Sequence, residues 1–224
     1  MRRTSEHSAG STSVTEAESD AVDVFASDSR SSRKLLLRRV VLATGTIGFG
    51  TGIGLGSLEA AEASGRSRQE TRILNFLLLL EQIQQAFYER AVAANALADE
   101  LDGFARTAAA QDRAHADRLG SMLGRSARAK PELRFGDAVN ADAKFVRAAI
   151  TLKEAAVAAY IGQGANLPVS RVTPIASIVS VEARHAAWLR AIAGDLPAPR
   201  AADQSETPKE VMTTIQRTGF VSQS

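Results

Sequence analysis

Cysteine is absent from the sequence, which excludes disulfides, zinc ribbons, iron–sulfur clusters and thiol catalysis. Any metal ion must therefore be held by oxygen and imidazole ligands. A large charge excess of one sign is also lacking, because the formal net charge is only +2. The arginines are scattered rather than gathered into one stripe with aromatic residues between them, so nucleic acid is not an expected partner.

The alternation of polar and apolar residues that is typical of strands is missing as well, and the periodicity that is present is helical. The chain has 224 residues, of which 45% are hydrophobic and 23% are charged. That length and composition allow one domain with a substantial core, together with long flanking segments.

Residues 1–37 form a polar and basic leader. As far as about Ser32 they are rich in serine, threonine, aspartate and glutamate and nearly free of large apolar side chains, so we expect this part to be disordered.

Residues 38–63 have the order of a signal peptide: a basic pair, a weakly hydrophobic glycine-rich run and a small-x-small site at Ala61 and Ala63. The stretch Arg38-Arg39-Val40-Val41-Leu42 resembles a twin-arginine motif. We expect cleavage after Ala63 and an exported protein, located in the periplasm, the cell envelope or the extracellular space.

An uncleaved membrane anchor is the main alternative for the same segment. The uncharged run at 40–58 is just long enough to span a bilayer, and three of its glycines repeat at the four-residue spacing of helix-packing motifs. Basic residues precede the run and Glu59 and Glu62 follow it, so both alternatives place the rest of the chain outside the cytoplasm. Membrane contact is expected only if 40–58 stays uncleaved, and a soluble protein with a glycine-rich linker is the third alternative.

Helical periodicity begins near Gln69 and predicts four helices, followed by a C-terminal tail at 195–224 that is partly docked on them. The predicted helices span about 70–100, 101–123, 138–161 and 174–194. Short links join the first helix to the second and the third to the fourth, whereas about 15 residues separate the second from the third, enough for a crossover along a bundle. The predicted fold is therefore an all-α four-helix bundle over 69–194 with a long crossover between helices 2 and 3.

The first and third predicted helices each carry an acid within the apolar stripe. Glu81 follows a run of leucines in the first helix. In the third helix, Glu154 shares a face with Ile150, Val157 and Ile161. Carboxylates in such positions need partners that neutralise them.

The second and fourth predicted helices each carry an acid and a histidine three residues apart, which places both side chains on one face within reach of one metal ion. Two such helices and two single acids form a box for two divalent ions. The predicted metal ligands are Glu81, Asp112, His115, Glu154, Glu182 and His185.

This pattern resembles the di-iron carboxylate proteins of the ferritin-like superfamily, in which two helices supply a glutamate each and two others supply Glu-x-x-His. A wider resemblance, over about 69–199, is to the exported ferritin-like family that includes plant desiccation-related proteins. Its residues here are Ile73-Leu74-Asn75-Phe76-Leu77, Phe87-Tyr88, Tyr160-Ile161-Gly162 and Val181-Glu182-Ala183-Arg184-His185-Ala186-Ala187-Trp188-Leu189-Arg190. The segment Thr207-Pro208-Lys209-Glu210-Val211 is similar to that family's C-terminal piece, which packs back on the bundle.

The resemblance implies a centre of two iron or manganese ions, with oxidase, ferroxidase or peroxide-consuming activity. Asp112 departs from the expected glutamate and is one methylene shorter, so the centre could instead hold one ion. Tyr88 and Tyr160 are candidate inward donors next to the ligands, and Glu89 replaces Glu81 if the register of the first helix is wrong.

The main alternative function is a non-catalytic envelope or desiccation-stress module with an empty or degraded metal site. In that case protonated carboxyls, or histidinium paired with acids, neutralise the core. A second copy of the chain is a candidate partner in either case.

Overall fold

The structure is a computed structural model that describes residues 55–221, with side chains from residue 63 onward. The predicted leader at 1–37 and most of the predicted signal or anchor segment at 38–63 lie outside the described residues. Among the helices that are described, none is both long and apolar enough to cross a membrane. Export and the twin-arginine signal therefore stay predictions.

The described residues contain four long α-helices and one short C-terminal α-helix, with two short 3-10 helices between the second and third. The α-helices are α1 (Leu55–Ala94), α2 (Asp99–Leu123), α3 (Asp142–Gly164), α4 (Val169–Ile192) and α5 (Pro208–Arg217). Helix α1 packs against α2, and α3 packs against α4. Contacts between α1 and α3 join the two pairs, and α5 lies on α3. Within residues 55–221 the only extended pairing is an isolated bridge between Leu133 and Val221. The predicted all-α bundle, with its long connection between the second and third helices, is confirmed.

Several predicted helix boundaries are wrong, among them the start of the first helix, which lies at Leu55 rather than near residue 70. The first helix ends at Ala94, because Asn95 adopts a left-handed backbone conformation with φ of 49°. Helix α2 then starts at Asp99, with acidic side chains in its first turn where the helix dipole favours them. Helix α4 starts directly after Pro168, so Pro174 lies inside the helix rather than at its first position.

Asn75 fixes the start of the crossover against α1. Its side-chain amide donates to the Ser126 carbonyl at 2.9 Å, and its side-chain oxygen accepts from the Arg128 backbone N–H at 2.8 Å. The two bonds give the buried Asn75 side chain its partners. They also satisfy the Ser126 carbonyl and the Arg128 N–H, which have no partner within an α-helix. The crossover is therefore held along the outside of the bundle.

An aromatic cluster around Phe87 joins the bundle to the crossover and the C-terminus. The Phe87 ring stacks on Phe145 of α3 at 5.3 Å and on Phe220 at 5.7 Å, and meets the edge of Phe135 at 5.4 Å. Because Phe87 is fully buried, these contacts connect three distant parts of the chain in one packed unit.

The C-terminal tail lies against α3. Helix α5 begins with a capping box between Thr207 and Glu210, and it buries Val211 and Ile215. Just before it, the Glu206 backbone N–H donates to the Ala158 carbonyl at 3.2 Å. A Cβ at Gly162 would overlap the Glu206 carbonyl oxygen, so only glycine lets the tail approach α3 this closely.

Replacing Gly162 with alanine is expected to lower the free energy of unfolding by about 1–3 kcal/mol, because the added methyl group displaces the tail. Gly164 is the matched control, since it lies in the same helix and a Cβ there meets nothing within 4 Å. Gly164→Ala should be neutral, or stabilising by up to about 1 kcal/mol. Urea unfolding followed by circular dichroism measures both changes, and equal effects of the two variants would contradict the close approach.

Candidate metal centre

The inner face of α1 carries one polar side chain per turn at the middle of the bundle. Glu81 is fully buried and lies one turn before Gln84 and two before Tyr88, which are also buried. The Tyr160 hydroxyl of α3 donates to Glu81 Oε1 at 2.6 Å. This bond directs the other oxygen, Oε2, toward His115, whose Nδ1 lies 3.4 Å away.

Helices α2 and α4 bring their acids and histidines to the same point. His115 Nδ1 lies 3.2 Å from Glu182 Oε1 and 4.0 Å from Asp112 Oδ1. His185 lies at the edge of this group, with Nδ1 4.0 Å from Glu182 Oε1. Its ring meets the edge of Phe104 at 5.7 Å between centroids.

Four of these side chains form a group with the geometry to hold one metal ion. Glu81, Asp112, His115 and Glu182 each offer a ligand atom, and the four atoms lie within 4.8 Å of one another. The three carboxylate side chains are fully buried, whereas the His115 side chain is 11% exposed. His115 is therefore the point at which the cluster reaches the protein surface.

Lys153 of α3 also lies in this core, although it was not among the residues predicted from sequence. Its side chain is fully buried, and its ammonium group donates to Asp112 Oδ1 at 2.7 Å and to the two Glu182 oxygens at 3.1 and 3.0 Å. The ammonium also lies 5.3 Å from the centre of the Tyr88 ring, within reach of a cation–π interaction. One cation therefore bridges two of the three buried carboxylates.

Glu154, predicted as a ligand, does not point into the core. Its side chain is 47% exposed and pairs with Arg190 of α4 on the outer side of the bundle, with Arg190 Nε 3.1 Å from Glu154 Oε1. The inward face of α3 is rotated by one residue relative to the prediction. It carries Lys153 and Tyr160, while Ile161 is partly exposed.

Four of the other predicted ligands are brought together, namely Glu81, Asp112, His115 and Glu182, whereas His185 lies at the edge and is not one of the four that could hold one ion. The acid and the histidine of each pair lie on one face, and Glu81 is the inward acid of α1. Glu89 is not an alternative ligand, because it lies at the surface and pairs with Arg113. Tyr88 and Tyr160 are both buried, and Tyr160 is bonded directly to Glu81.

The acids and Lys153 shift one another's protonation. Burial raises the pKa of Asp112 well above its ordinary value, and burial followed by the charge of Glu182 raises the pKa of Glu81. Burial by itself would raise the pKa of Glu182, but Lys153 and His115 lower it to about 2. Burial would lower the pKa of Lys153, yet Asp112 and Glu182 raise it above its usual range. Glu182 and Lys153 are therefore a charged pair at neutral pH.

The two histidines carry different charges. Burial would lower the pKa of His115, but its contacts with Glu182 and Glu81 raise it to about 9. For His185, burial and then the positive charge of Lys153 lower the pKa to about 4. Without a metal ion, His115 is therefore a cation at neutral pH and His185 is neutral.

The donor residues of this cluster could hold a divalent ion. Four buried atoms of the acids and histidines have no hydrogen-bond partner: Glu81 Oε2, Asp112 Oδ2 and the Nδ1 atoms of His115 and His185. Carboxylate oxygen and imidazole nitrogen suit iron and manganese. A second ion of the same kind would need the fourth carboxylate, but Glu154 points away and the Lys153 ammonium occupies the inward position of α3.

The comparison with protein families agrees with this architecture. Residues 69–195 match the model of the ferritin-like domain. No curated protein matches the chain in sequence. The matched region covers α2, α3, α4 and the part of α1 that bears Glu81, and therefore the whole cluster. The prediction of a ferritin-like four-helix bundle is confirmed, and the chain belongs to the ferritin-like domain family.

Proposed function

We propose that this is an exported ferritin-like protein that binds divalent iron or manganese in the core of its bundle. The observation that carries this proposal is the convergence of Glu81, Asp112, His115 and Glu182. Three of the four residues present a buried atom that no hydrogen bond satisfies. Such atoms cost free energy in the folded state unless something binds them. A divalent cation binds the carboxylate oxygens, and it binds His115 Nδ1 once that nitrogen has released its proton.

Each residue of the cluster has a distinct task in binding. Tyr160 orients Glu81 through its hydroxyl, so that Oε2 faces the cluster. His115, at the surface edge, releases its proton to become a ligand and marks the side from which an ion enters. Iron or manganese held there would supply redox chemistry toward dioxygen or peroxide, the class of activity that the family resemblance implies.

Removal of a ligand is expected to weaken metal binding strongly. Loss of a residue that merely supports a ligand typically reduces metal affinity 10- to 100-fold, so Glu81→Gln and His115→Ala should each lower the affinity for Mn²⁺ by about 100-fold or more. The measurement is isothermal titration of the chelator-stripped full chain, with metal content checked after reconstitution under anaerobic conditions.

Glu154→Gln is the matched control for these variants, because Glu154 is an acid of the same bundle that lies outside the cluster. Its affinity for Mn²⁺ should equal that of the unmodified protein. Absence of measurable binding of iron, manganese and zinc to the unmodified chain would rule out the proposed function.

A non-catalytic envelope or desiccation-stress module is the second candidate, and Lys153 is the observation that favours it. Lys153 and protonated His115 together place two positive charges among three carboxylates without any metal. A bundle stabilised in that way needs no ion to fold. A thermal unfolding midpoint that is the same with chelator and with saturating Mn²⁺ would support this candidate over the first.

The proposed export rests on Arg38, Arg39 and the glycine-rich run that follows them. Fractionation of the expressing cells and N-terminal sequencing test it. A soluble extracytoplasmic form that starts near Ser64 would establish cleavage, and a membrane-bound form that retains 40–58 would establish the anchor.

A further inference from the structure

The inward position of α3 carries a cation where the ligand pattern requires an acid. In carboxylate centres of four-helix bundles, two helices supply one acid each and two supply an acid with a histidine. Here α1 supplies Glu81, and α2 and α4 supply the acid–histidine pairs. The remaining acid should come from α3, but the side chain that α3 directs inward is Lys153.

The contacts of Lys153 are those of a cation that replaces a metal ion. Its ammonium group bridges carboxylates from two different helices, Asp112 of α2 and Glu182 of α4. It contacts both oxygens of Glu182, as a chelated ion would. The side chain is fully enclosed, so this position belongs to the core of the centre rather than to its rim.

Charge balance also indicates that Lys153 stands in the position of a metal ion. Four carboxylates balance two divalent ions, whereas three carboxylates balance one divalent ion and one ammonium group. The described core contains the second combination: Glu81, Asp112 and Glu182 with Lys153. A second divalent ion would leave an excess of positive charge in a buried site, where uncompensated charge is strongly unfavourable.

We propose that Lys153 takes the place of one metal ion, so that this centre takes up one divalent cation rather than two. The inference rests on the proposed function, because it concerns the same cluster, and it defines how many ions the cluster accepts. Glu81, Asp112, His115 and Glu182 hold the ion, while the Lys153 ammonium group keeps its bonds to the carboxylates of Asp112 and Glu182.

Metal stoichiometry of the full chain tests this proposal directly. Chelator-stripped protein is titrated with Mn²⁺, and separately with Zn²⁺, and bound metal is counted by mass spectrometry after desalting. We expect one ion per chain in the unmodified protein and two in Lys153→Glu, which restores the fourth carboxylate. Lys144→Glu is the matched control, because Lys144 is an exposed lysine of the same helix; it should bind one ion.

The possible counts separate the two proposals. Two ions in the unmodified protein, or equal counts in the unmodified protein and Lys153→Glu, would overturn the role of Lys153. A third result is that the unmodified protein binds no ion and Lys153→Glu does. That result would support Lys153 as the substitute for metal and would contradict the proposed function.

A second variant keeps the proposal testable if Lys153→Glu does not fold. Lys153→Gln removes the cation without adding an acid, so the three carboxylates then depend on a bound ion for neutralisation. Saturating Mn²⁺ should raise the thermal unfolding midpoint of Lys153→Gln by more than it raises that of the unmodified protein. Equal increases of the unfolding midpoint in both proteins would show that Lys153 does not neutralise the carboxylates in place of an ion.

Discussion

Replacing Glu182 with glutamine is expected to lower the free energy of unfolding of the metal-free protein by about 3–5 kcal/mol, the usual cost of removing one partner from a buried ion pair. Glu182 is fully buried and accepts from Lys153 with both oxygens, and His115 Nδ1 lies 3.2 Å from one of them. The substitution keeps the size of the side chain and removes its charge. Two cations then lose their shared anion inside the bundle.

Glu154→Gln provides the comparison within the same bundle. Glu154 pairs with Arg190 at the surface, where solvent screens the interaction, so the expected loss is no more than about 1 kcal/mol. Urea unfolding in the presence of chelator measures both variants. Similar losses for the two glutamates would contradict the assignment of Glu182 to the charged core and of Glu154 to the surface.

Much of this centre can be inferred from sequence, because helix geometry links its parts. An acid and a histidine three residues apart lie on one face whatever the exact helix boundaries are, so Asp112 with His115 and Glu182 with His185 were identifiable. Glu81 was identifiable because the leucines before it define one apolar stripe. For these residues the local sequence pattern and the tertiary packing point in the same direction.

Helix α3 is different, because its sequence gives little information about which face is inward. Residues 155–160 are all buried, since the neighbouring helices cover one side and the returning tail covers another. A helix that is apolar all round has a weak periodic signal, and an error of one residue rotates the assignment by about 100°. The prediction that followed Ile150, Val157 and Ile161 therefore chose Glu154 in place of Lys153.

The general rarity of buried lysine also made it difficult to assign Lys153 to the inward face of α3. Lysine is almost never fully buried unless it is paired, and its partners here come from α2 and α4, which are distant in the sequence. Tyr160 was the available signal: it lies seven residues after Lys153, two helical turns further along the same face, and it is fully buried. A stripe chosen for its aromatic residue rather than for its isoleucines would have selected Lys153.

A double-mutant cycle on Lys153 and Glu182 is expected to show strong coupling. Lys153→Met alone should cost about 3–5 kcal/mol in chelator, because Asp112 and Glu182 then face each other without the cation between them. With Glu182→Gln added, the cost should be far below the sum of the two single losses. In the double variant neither Lys153 nor Glu182 is left without the other's charge, and only Asp112 still lacks its cation.

The cycle is measured by urea unfolding of the four proteins with chelator present, and we expect a coupling energy of about 2–3 kcal/mol. Additive losses would mean that the Lys153 ammonium and the Glu182 carboxylate do not compensate each other, and the claim that the lysine replaces a metal ion would lose its energetic basis. Lys144→Met with Glu182→Gln is the matched control cycle. Lys144 pairs with Asp137 on the surface, so its effect should add to that of Glu182 without coupling.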